Sequence, residues 1–315
     1  MYILGIDIGG TKCAVITAES TDCNITLLKK YKCNTELNIP AEEMIKKLIV
    51  AADELLENKP DAIGISCGGP LDSKRGIIIS PPNLPGWDNI EIVKQLQEHF
   101  GVKAKLQNDA NACAVAEWKF GAGKDCENMI FLTFGTGLGA GLILNGRLYS
   151  GTSDNAGEVG HIRLDKSGPI GHGKTGSFEG FCSGGGIAQL GYQKALESIQ
   201  NGYNPAFFKE GMTASDITAK SIAEAADNGD ETAIEIYKIC GEYLGRGLSV
   251  LIDILNPQKI VIGSIFARAH HLLWDSAKKI IEQEALHLSA ECCRVVPAQL
   301  GENIGDYAAI AIALE

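Results

Sequence analysis

The sequence predicts an α/β protein with two domains and a duplicated core. Its 315 residues exceed the usual size of a single core. Two similar stretches each join an apolar strand, a glycine-rich turn and a returning strand: DIGGTKCAVIT at 7–17 and TFGTGLGAGLIL at 133–144. Two units of this kind facing each other would form an interdomain cleft that holds the phosphates of a nucleotide from both sides.

The elements of the first half follow from apolar periodicity and turn residues. A glycine pair after the first strand is typical of a hairpin. Apolar residues on one face, including Met44, Ile45 and Leu48, predict the first helix. The expected order is three strands (YILGIDIG, CAVITAES, ITLLKKYKCN), a helix from Pro40 to Leu56, strands at 61–68 and 76–80, a proline-stiffened loop at 81–87, a helix near 90–99, a strand at 102–107 and an alanine-rich helix from 109 to about 120.

The second half begins with a strand at 128–135. A further strand follows, and Asn145–Gly146 favours a type I′ turn into a strand RLYSG at 147–151. Helices dominate from about 183, and the strongest patterns lie at 215–228 and 230–255. The chain then predicts a strand at 259–264, a helix near 270–287, a strand around 292–296 and a closing helix from 304.

Composition narrows the classes of partner. The net charge of −11 and the pI near 5.1 give no basic surface for nucleic acid or an anionic membrane. The start of the chain lacks the pattern of a signal peptide, and no apolar run approaches the roughly 20 residues that cross a bilayer. We therefore expect a cytoplasmic protein.

The ten cysteines form no CxxC motif, and most stand in apolar runs such as AIGISCGG. This pattern is typical of small buried hydrophobic side chains in a reducing compartment. The vicinal pair Cys292–Cys293 is expected in the late strand.

Two loops have the composition of phosphate-binding turns. In DIGGTK, Gly9 and Gly10 allow a close approach of backbone N–H groups to an anion, Thr11 and Lys12 add donors, and Asp7 can hold hydrated Mg²⁺. The loop is neither a Walker A nor a Rossmann motif, and a plain hairpin turn would also explain its glycines. The second loop, TFGTGLGAG at 133–141, has four glycines and two threonines in nine residues, which exceeds the needs of a structural turn.

The segment QNDANA at 107–112 follows a strand and opens a helix. Asp109 could be the N-cap of that helix. Alternatively, Asp109 could accept a proton from a substrate hydroxyl that Asn108 orients. Proteins bind the hydroxyl groups of neutral sugars through hydrogen-bond acceptors and amides. The residues of this sequence that could provide such groups are Asn83, Asn108, Asp109, Glu158, His161 and Glu179. A lone histidine such as His161 is also common as a simple polar residue.

The motifs DIGGTK, PPNLPGW, QNDANA, TFGTGLGAG, GEVGH and IVIGS stand in the order and approximate spacing of the ROK family, which contains sugar kinases and sugar-responsive repressors. The resemblance implies a ribonuclease-H/actin-like fold. It implies a small domain of residues 1–120 joined by the C-terminal helix at about 300–315, a large domain of 121–299, and a homodimer. It also implies MgATP and a hexose or hexosamine as substrates.

The resemblance assigns roles residue by residue. Asp109 would be the catalytic base, and Gly263 would lie beside the nucleoside. Phosphate contacts would come from Gly9, Gly10, Thr11, Lys12, Gly135, Thr136 and Gly137. Asp7 would hold hydrated Mg²⁺. Asn83, Asn108, Glu158, His161 and Glu179 would bind the sugar.

The chain departs from the family pattern in two places. GEVGH is commonly followed by CxCGxxGCxE, whose cysteines join the histidine in a structural zinc site, but this chain reads IGHGKTGSFE at 170–179. Ile170, His172 and Ser177 replace the cysteines, so we expect no structural zinc. The repressors carry a helix-turn-helix before the first strand, whereas this sequence starts at that strand. We therefore expect an ATP-dependent sugar kinase that phosphorylates a sugar hydroxyl, with the 6-hydroxyl as the expected position. A non-enzymatic sugar-sensing regulator is the alternative.

Overall fold

The computed structural model describes residues 1–21 and 24–315. Cys23, one of the cysteines interpreted above as small hydrophobic side chains, lies outside the described residues. The strands are β1 Tyr2–Ile8, β2 Lys12–Thr21, β3 Asn24–Asn34, β4 Ala62–Cys67, β5 Leu71–Asp72, β6 Ile77–Ile78, β7 Ala104–Asn108, β8 Met129–Phe134, β9 Leu138–Ile143, β10 Ile170–Gly171, β11 Lys174–Thr175, β12 Lys259–Ile262 and β13 Arg294–Pro297. The helices are α1 Ala41–Leu55, α2 Ile92–Phe100, α3 Asp109–Phe120, α4 Phe178–Phe181, α5 Gly184–Gln200, α6 Ala219–Asp227, α7 Glu231–Leu255, α8 Ile265–Arg268, α9 His270–Glu284, α10 His287–Cys292 and α11 Ile304–Ala313.

The chain divides into two compact units. The first comprises Met1–Glu127, Gly141–Ala156 and Gln299–Glu315, and the second comprises Asn128–Ala140 and Gly157–Ala298. Strand β9 therefore starts in the second unit and ends in the first. The assignment of a small domain of 1–120 with 300–315 and a large domain of 121–299 stays a prediction.

The first unit is built on a five-stranded sheet of order β3-β2-β1-β4-β7. Strands β1 and β2 form the antiparallel hairpin expected around the glycine pair, with Ile8 opposite Cys13. Alternate side chains of β1 point to opposite faces, so Leu4 and Ile6 pack with α1 while Ile3 packs with Ile310 of α11. Helix α1 buries the predicted apolar face.

Three parallel strands of this sheet end at one edge. In the register, Ile8 of β1 lies opposite Cys67 of β4, and Cys67 lies opposite Asn108 of β7. The loop 9–11 and the start of α3 therefore leave the sheet at the same edge. This edge is where polar groups of the first unit gather.

The second unit contains a four-stranded sheet of order β13-β12-β8-β9, in which β13, β12 and β8 run parallel. The long helix α7 packs on α9 through glycines. A Cβ on Gly241 or Gly245 would lie 2.5 Å from the carbonyl oxygen of Leu273 or Ala277, respectively. Within the described ranges, no helix combines the length and the apolar character needed to cross a membrane.

The turn at Asn145–Gly146 is confirmed, but the strand predicted after it is wrong. Both turn residues have positive φ, 53° and 67°, and the Leu144 N–H donates to the Arg147 carbonyl at 2.8 Å. Beyond the turn, pairing is limited to one bridge between Ile143 and Leu148. The chain then bends through Gly151, whose φ of 78° does not continue an extended strand.

The strand expected to contain Cys292 and Cys293 is also shifted. Cys292 ends α10, Cys293 is the residue that caps its C-terminus, and β13 starts only at Arg294. The Cys293 N–H is bonded locally to the Ala290 carbonyl, which removes it from strand pairing. Of the nine described cysteines, all are free and five are buried (Cys13, Cys67, Cys126, Cys182 and Cys240), whereas Cys292 is exposed.

Candidate active site

The start of α3 positions Asp109. Asn108 is the N-cap, because its Oδ1 accepts from the N–H groups of Ala110 at 3.0 Å and Asn111 at 3.5 Å. The alternative of Asp109 as N-cap is therefore wrong. Asp109 is the exposed first residue of the helix, and its Oδ1 accepts from the Ala110 N–H at 2.8 Å. The N-terminal end of a helix favours a negative charge at this position.

A buried amide network lies behind this turn. Gln107 Oε1 accepts from the Asn108 N–H at 2.8 Å and from Asn111 Nδ2 at 3.1 Å, and Gln107 Nε2 donates to Ser150 Oγ at 3.4 Å. Because a backbone N–H only donates, the Asn108 N–H fixes the orientation of the Gln107 amide. Gln107 and Asn111 stand four residues apart in QNDAN, but Gln107 belongs to strand β7, so the helical i,i+4 rule does not predict this pair from the sequence.

Asn111 has one acceptor without a partner among residues 1–21 and 24–315. Its Oδ1 is buried and accepts no hydrogen bond, while its Nδ2 is bonded to Gln107. Buried polar atoms in folded proteins are nearly always paired, so an ordered water is the donor we expect here.

The first glycine loop is tight and has no room for a side chain at Gly10. The Gly9 N–H donates to the Lys12 carbonyl at 3.0 Å, and Thr35 Oγ1 donates to the Gly9 carbonyl at 2.6 Å. A Cβ on Gly10 would lie 2.7 Å from both the Cβ and the carbonyl oxygen of Asn83. The structure therefore brings Asn83 directly against the first glycine loop.

Asp7 lies at the end of β1 in an acidic environment. The pKa of the Asp7 carboxyl is raised to about 7, chiefly by burial. The carboxylates of Asp109 and Asp306 also raise this pKa, whereas a hydrogen bond from Ser66 and the Lys30 cation lower it. Lys30 Nζ is paired with the buried Asp306 carboxylate at 2.6 Å. The first unit thus places three carboxylates and one cation near each other.

This acidic group fits a magnesium ion. Mg²⁺ takes oxygen ligands and is commonly held by one or two carboxylates together with substrate phosphates. Asp7 is close enough to α11 that a Cβ on Gly305 would lie 3.0 Å from Asp7 Oδ2. A search of the described residues for three or more His, Cys, Asp and Glu side chains that could together hold a metal ion finds none. The assignment of Asp7 to a magnesium ion therefore stays a prediction.

In the second unit, Glu179 contacts the second glycine loop. Glu179 Oε2 accepts from the Leu138 N–H at 3.0 Å, and a Cβ on Gly137 would lie 2.8 Å from the same oxygen. The Cβ of Glu179 also lies in a slot, 3.2 Å and 2.8 Å from the positions that a Cβ would occupy on Gly160 and Gly171. The sequence analysis assigned Glu179 and Gly137 to different ligands, and the structure makes them neighbours.

The second loop also contacts two segments that the sequence analysis did not assign to the site. The Gly184 N–H, in the first turn of α5, donates to the Gly135 carbonyl at 2.8 Å. Ser264 Oγ lies 3.6 Å from where a Cβ on Gly135 would be, and Ser264 has the strained conformation φ 54°, ψ −113°. Three successive glycines after Ser183 were the available signal for the first of these segments.

The remaining predicted residues occupy separate positions. Gly263 continues the pairing of β12, since its N–H donates to the Leu132 carbonyl at 3.0 Å. Glu158 and His161 are exposed at either end of a short turn, and the His161 ring lies edge to face with the His172 ring at 5.0 Å. Thr11, Lys12 and Thr136 are all exposed.

Comparison with known proteins identifies the class. The family model described as "ROK family" matches residues 3–315. The chain is 31% identical over 314 residues to a glucokinase from Halalkalibacterium halodurans, covering 96% of this chain and 92% of that protein. It is 32% identical over 256 residues to the N-acetylglucosamine repressor of Escherichia coli O157:H7, covering 80% of this chain and 61% of the repressor.

A solved structure is similar over the same length. The ROK family glucokinase from Streptomyces griseus, in complex with glucose and AMPPNP, superposes with a TM-score of 0.78 at 28% identity, covering 100% of this chain and 99% of that one. The chain therefore belongs to the ROK family, and the predicted actin-like kinase fold is confirmed. The full-length similarity to glucokinases identifies its enzyme class as carbohydrate kinase.

Proposed function

We propose that this protein transfers the γ-phosphoryl group of ATP to the 6-hydroxyl of a hexose or an N-acetylhexosamine. The observation that carries the proposal is the position of Asp109. Its carboxylate is exposed at the sheet edge that also carries the first glycine loop, and Asn108 rather than Asp109 caps α3. Asp109 can therefore act on a substrate without loss of the helix cap.

Phosphoryl transfer depends mainly on positioning and on charge stabilisation. In the proposed mechanism, Asp109 accepts the proton of the sugar hydroxyl as that oxygen bonds to the γ-phosphorus, and the bond from the γ-phosphorus to the β,γ-bridging oxygen breaks to release ADP. Backbone N–H groups of Gly9 and Gly10, with Thr11 and Lys12, contact phosphate oxygens. Gly135, Thr136 and Gly137 supply further phosphate contacts in the second unit. Magnesium, held by Asp7, would neutralise charge on the phosphates when bound.

Sugar recognition is proposed for five amide, imidazole and carboxylate side chains. Asn83, Asn108 and His161 would donate to or accept from sugar hydroxyls, whereas the carboxylates of Glu158 and Glu179 would accept from them. Two features of this chain support the proposal. Asn83 lies against Gly10, and Glu179 is held by the Leu138 N–H, so both side chains are next to a proposed phosphate loop.

We also propose that Gly263 lies beside the nucleoside and that the protein is a cytoplasmic homodimer. The first rests on the resemblance and on the position of Gly263 at the end of β12, and the second rests on the resemblance and on the acidic composition. Light scattering coupled to size-exclusion chromatography would measure the oligomeric state.

A coupled assay of ATP turnover over a sugar panel tests the function. Glucose, mannose, allose, fructose, N-acetylglucosamine and N-acetylmannosamine would each be tried with and without Mg²⁺, and phosphorus NMR of the product would locate the phosphorylated hydroxyl. We expect turnover with at least one aldohexose or N-acetylhexosamine and loss of turnover without Mg²⁺. Calorimetric binding of a sugar with no turnover of any sugar would favour the sugar-sensing regulator instead.

A further inference from the structure

The segment 162–180 stands where the family pattern has a zinc motif, but its donor set does not fit zinc. A closed structural zinc site needs four ligands. Ile170 offers only hydrocarbon, and the buried Ser177 hydroxyl is engaged within the protein, accepting from the Gly180 N–H at 3.0 Å and donating to the Gly171 carbonyl at 3.5 Å. His161 and His172 are the nitrogen donors that remain in this part of the described chain, and they lie as an edge-to-face pair.

Two hydrogen bonds from one side chain of α5 hold this segment against that helix. Gln189 Oε1 accepts from the Ile170 N–H at 3.0 Å, and Gln189 Nε2 donates to the Ile170 carbonyl at 2.9 Å. Both polar groups of one backbone residue are thus satisfied by a single side-chain amide. The hairpin β10–β11, which contains two of the three positions that replace the cysteines, Ile170 and His172, is thereby held on a 17-residue helix.

A second set of contacts joins the segment to α7. The Tyr243 hydroxyl donates to Asp165 Oδ2 at 2.5 Å, and the Tyr243 ring stacks on Phe181 with centroids 3.4 Å apart and planes 3° apart. Burial and the bond to Asp165 raise the pKa of Tyr243 to about 12, so its hydroxyl remains protonated and donates. The guanidinium of Arg246 lies 4.6 Å from the centroid of the same ring.

The residues that Gln189 and Tyr243 contact lie on both sides of Glu179 in the sequence. Ile170 precedes Gly171, which forms one wall of the Glu179 slot, and Phe181 stands two residues beyond Glu179 on α4. We infer that Gln189 and Tyr243 are positioning residues that hold Glu179 in its slot and do so without a metal ion. The inference rests on the proposed function only where Glu179 is taken as a sugar ligand.

The test compares Gln189→Ala and Tyr243→Phe with the matched control Gln193→Ala. Gln193 lies one turn further along α5 and is exposed, bonding only to Glu197 in the same helix among the hydrogen bonds of the described chain. The phenylalanine variant keeps the stacking and removes only the donor. Amide hydrogen exchange over residues 168–182, zinc content by mass spectrometry, and calorimetric affinity for the sugar found in the turnover panel are measured for each protein, before and after treatment with 1,10-phenanthroline.

In Gln189→Ala and Tyr243→Phe we expect faster amide hydrogen exchange over residues 168–182. We also expect the affinity for the sugar to fall about fivefold, which is the effect of one net hydrogen bond. The control and the chelator-treated wild type should be unchanged. In a Glu179→Ala background, Gln189→Ala should weaken sugar binding no further, because the two changes act through one group.

Different results overturn different parts of the reasoning. One zinc ion per chain, together with chelator-sensitive exchange over residues 168–182, would refute the inference that this segment is held without a metal ion. If amide exchange and sugar affinity in Gln189→Ala and Tyr243→Phe equal those of the wild type, the positioning role of Gln189 and Tyr243 is refuted. If the wild type binds none of the sugars, the proposed function fails, while the exchange data still decide whether Gln189 and Tyr243 hold the segment.

Discussion

Replacement of Asp109 by Asn separates catalysis from stability in this site. An amide keeps the shape of the side chain and an oxygen that accepts from the Ala110 N–H, and the cap supplied by Asn108 is untouched. The loss of stability is then limited to the charge at the first turn of α3, about 0.3–1 kcal/mol. Removal of that charge also relieves the repulsion that raises the pKa of Asp7, which offsets part of the loss.

The effect on rate should be much larger. Loss of a general base typically lowers the rate by a factor of about 10²–10⁴, which corresponds to roughly 3–5 kcal/mol of transition-state stabilisation. The assay measures kcat with saturating sugar and ATP, the affinity for both ligands by calorimetry, and thermal unfolding. The matched control is Asp53→Asn, which removes another exposed carboxylate, one paired with His99 on the first unit. A kcat above about a third of the wild-type value in the Asp109 variant would show that another group takes the proton.

Three further substitutions follow from individual contacts. Gly10→Ala should lower kcat/KM for ATP at least tenfold, measured by steady-state kinetics, because the new Cβ would lie 2.7 Å from Asn83 and the loop must move. Gln107→Leu should lower the free energy of unfolding by about 1–3 kcal/mol in urea titrations and reduce kcat, since the N–H of the Asn108 turn loses its buried acceptor. Glu179→Gln should weaken sugar binding in calorimetry, with little change in the melting temperature, because an amide oxygen can still accept from the Leu138 N–H.

Local patterns predicted most of the elements of this fold. The glycine pair after β1, the apolar face of α1 and the positive-φ turn at Asn145–Gly146 are each determined by neighbouring residues, and each is confirmed. The strand predicted after that turn was wrong because the chain bends at Gly151 instead of continuing beside β9. The position of Cys292 was wrong because strand pairing depends on partners distant in sequence. Strand Arg294–Pro297 pairs with β12, more than thirty residues earlier, and nothing local marks its first residue.

The chemistry of the site could be predicted from residue types, but its contacts could not. The motifs in the sequence identify carboxylates and glycine loops, yet the hydrogen bond from Leu138 to Glu179 spans 41 residues. The same limit applies to Gln107, whose partner Ser150 is 43 residues away. The alternative of Asp109 as N-cap was wrong by one residue because Asn and Asp are both strong caps, and only the backbone geometry chooses between them.

Helix α11 has a consequence for the order in which the protein folds. Its backbone approaches the first sheet so closely that a Cβ on Gly64 would lie 1.9 Å from the Ala309 carbonyl oxygen, and a Cβ on Gly5 would lie 2.8 Å from the Ile310 side chain. On the ribosome this helix is synthesised after the whole of Gly157–Ala298, so one face of the first sheet stays uncovered while the second unit is already complete. Vectorial synthesis therefore favours folding of the second unit first, and a nascent chain arrested before residue 304 should display an unfinished, protease-sensitive N-terminal region.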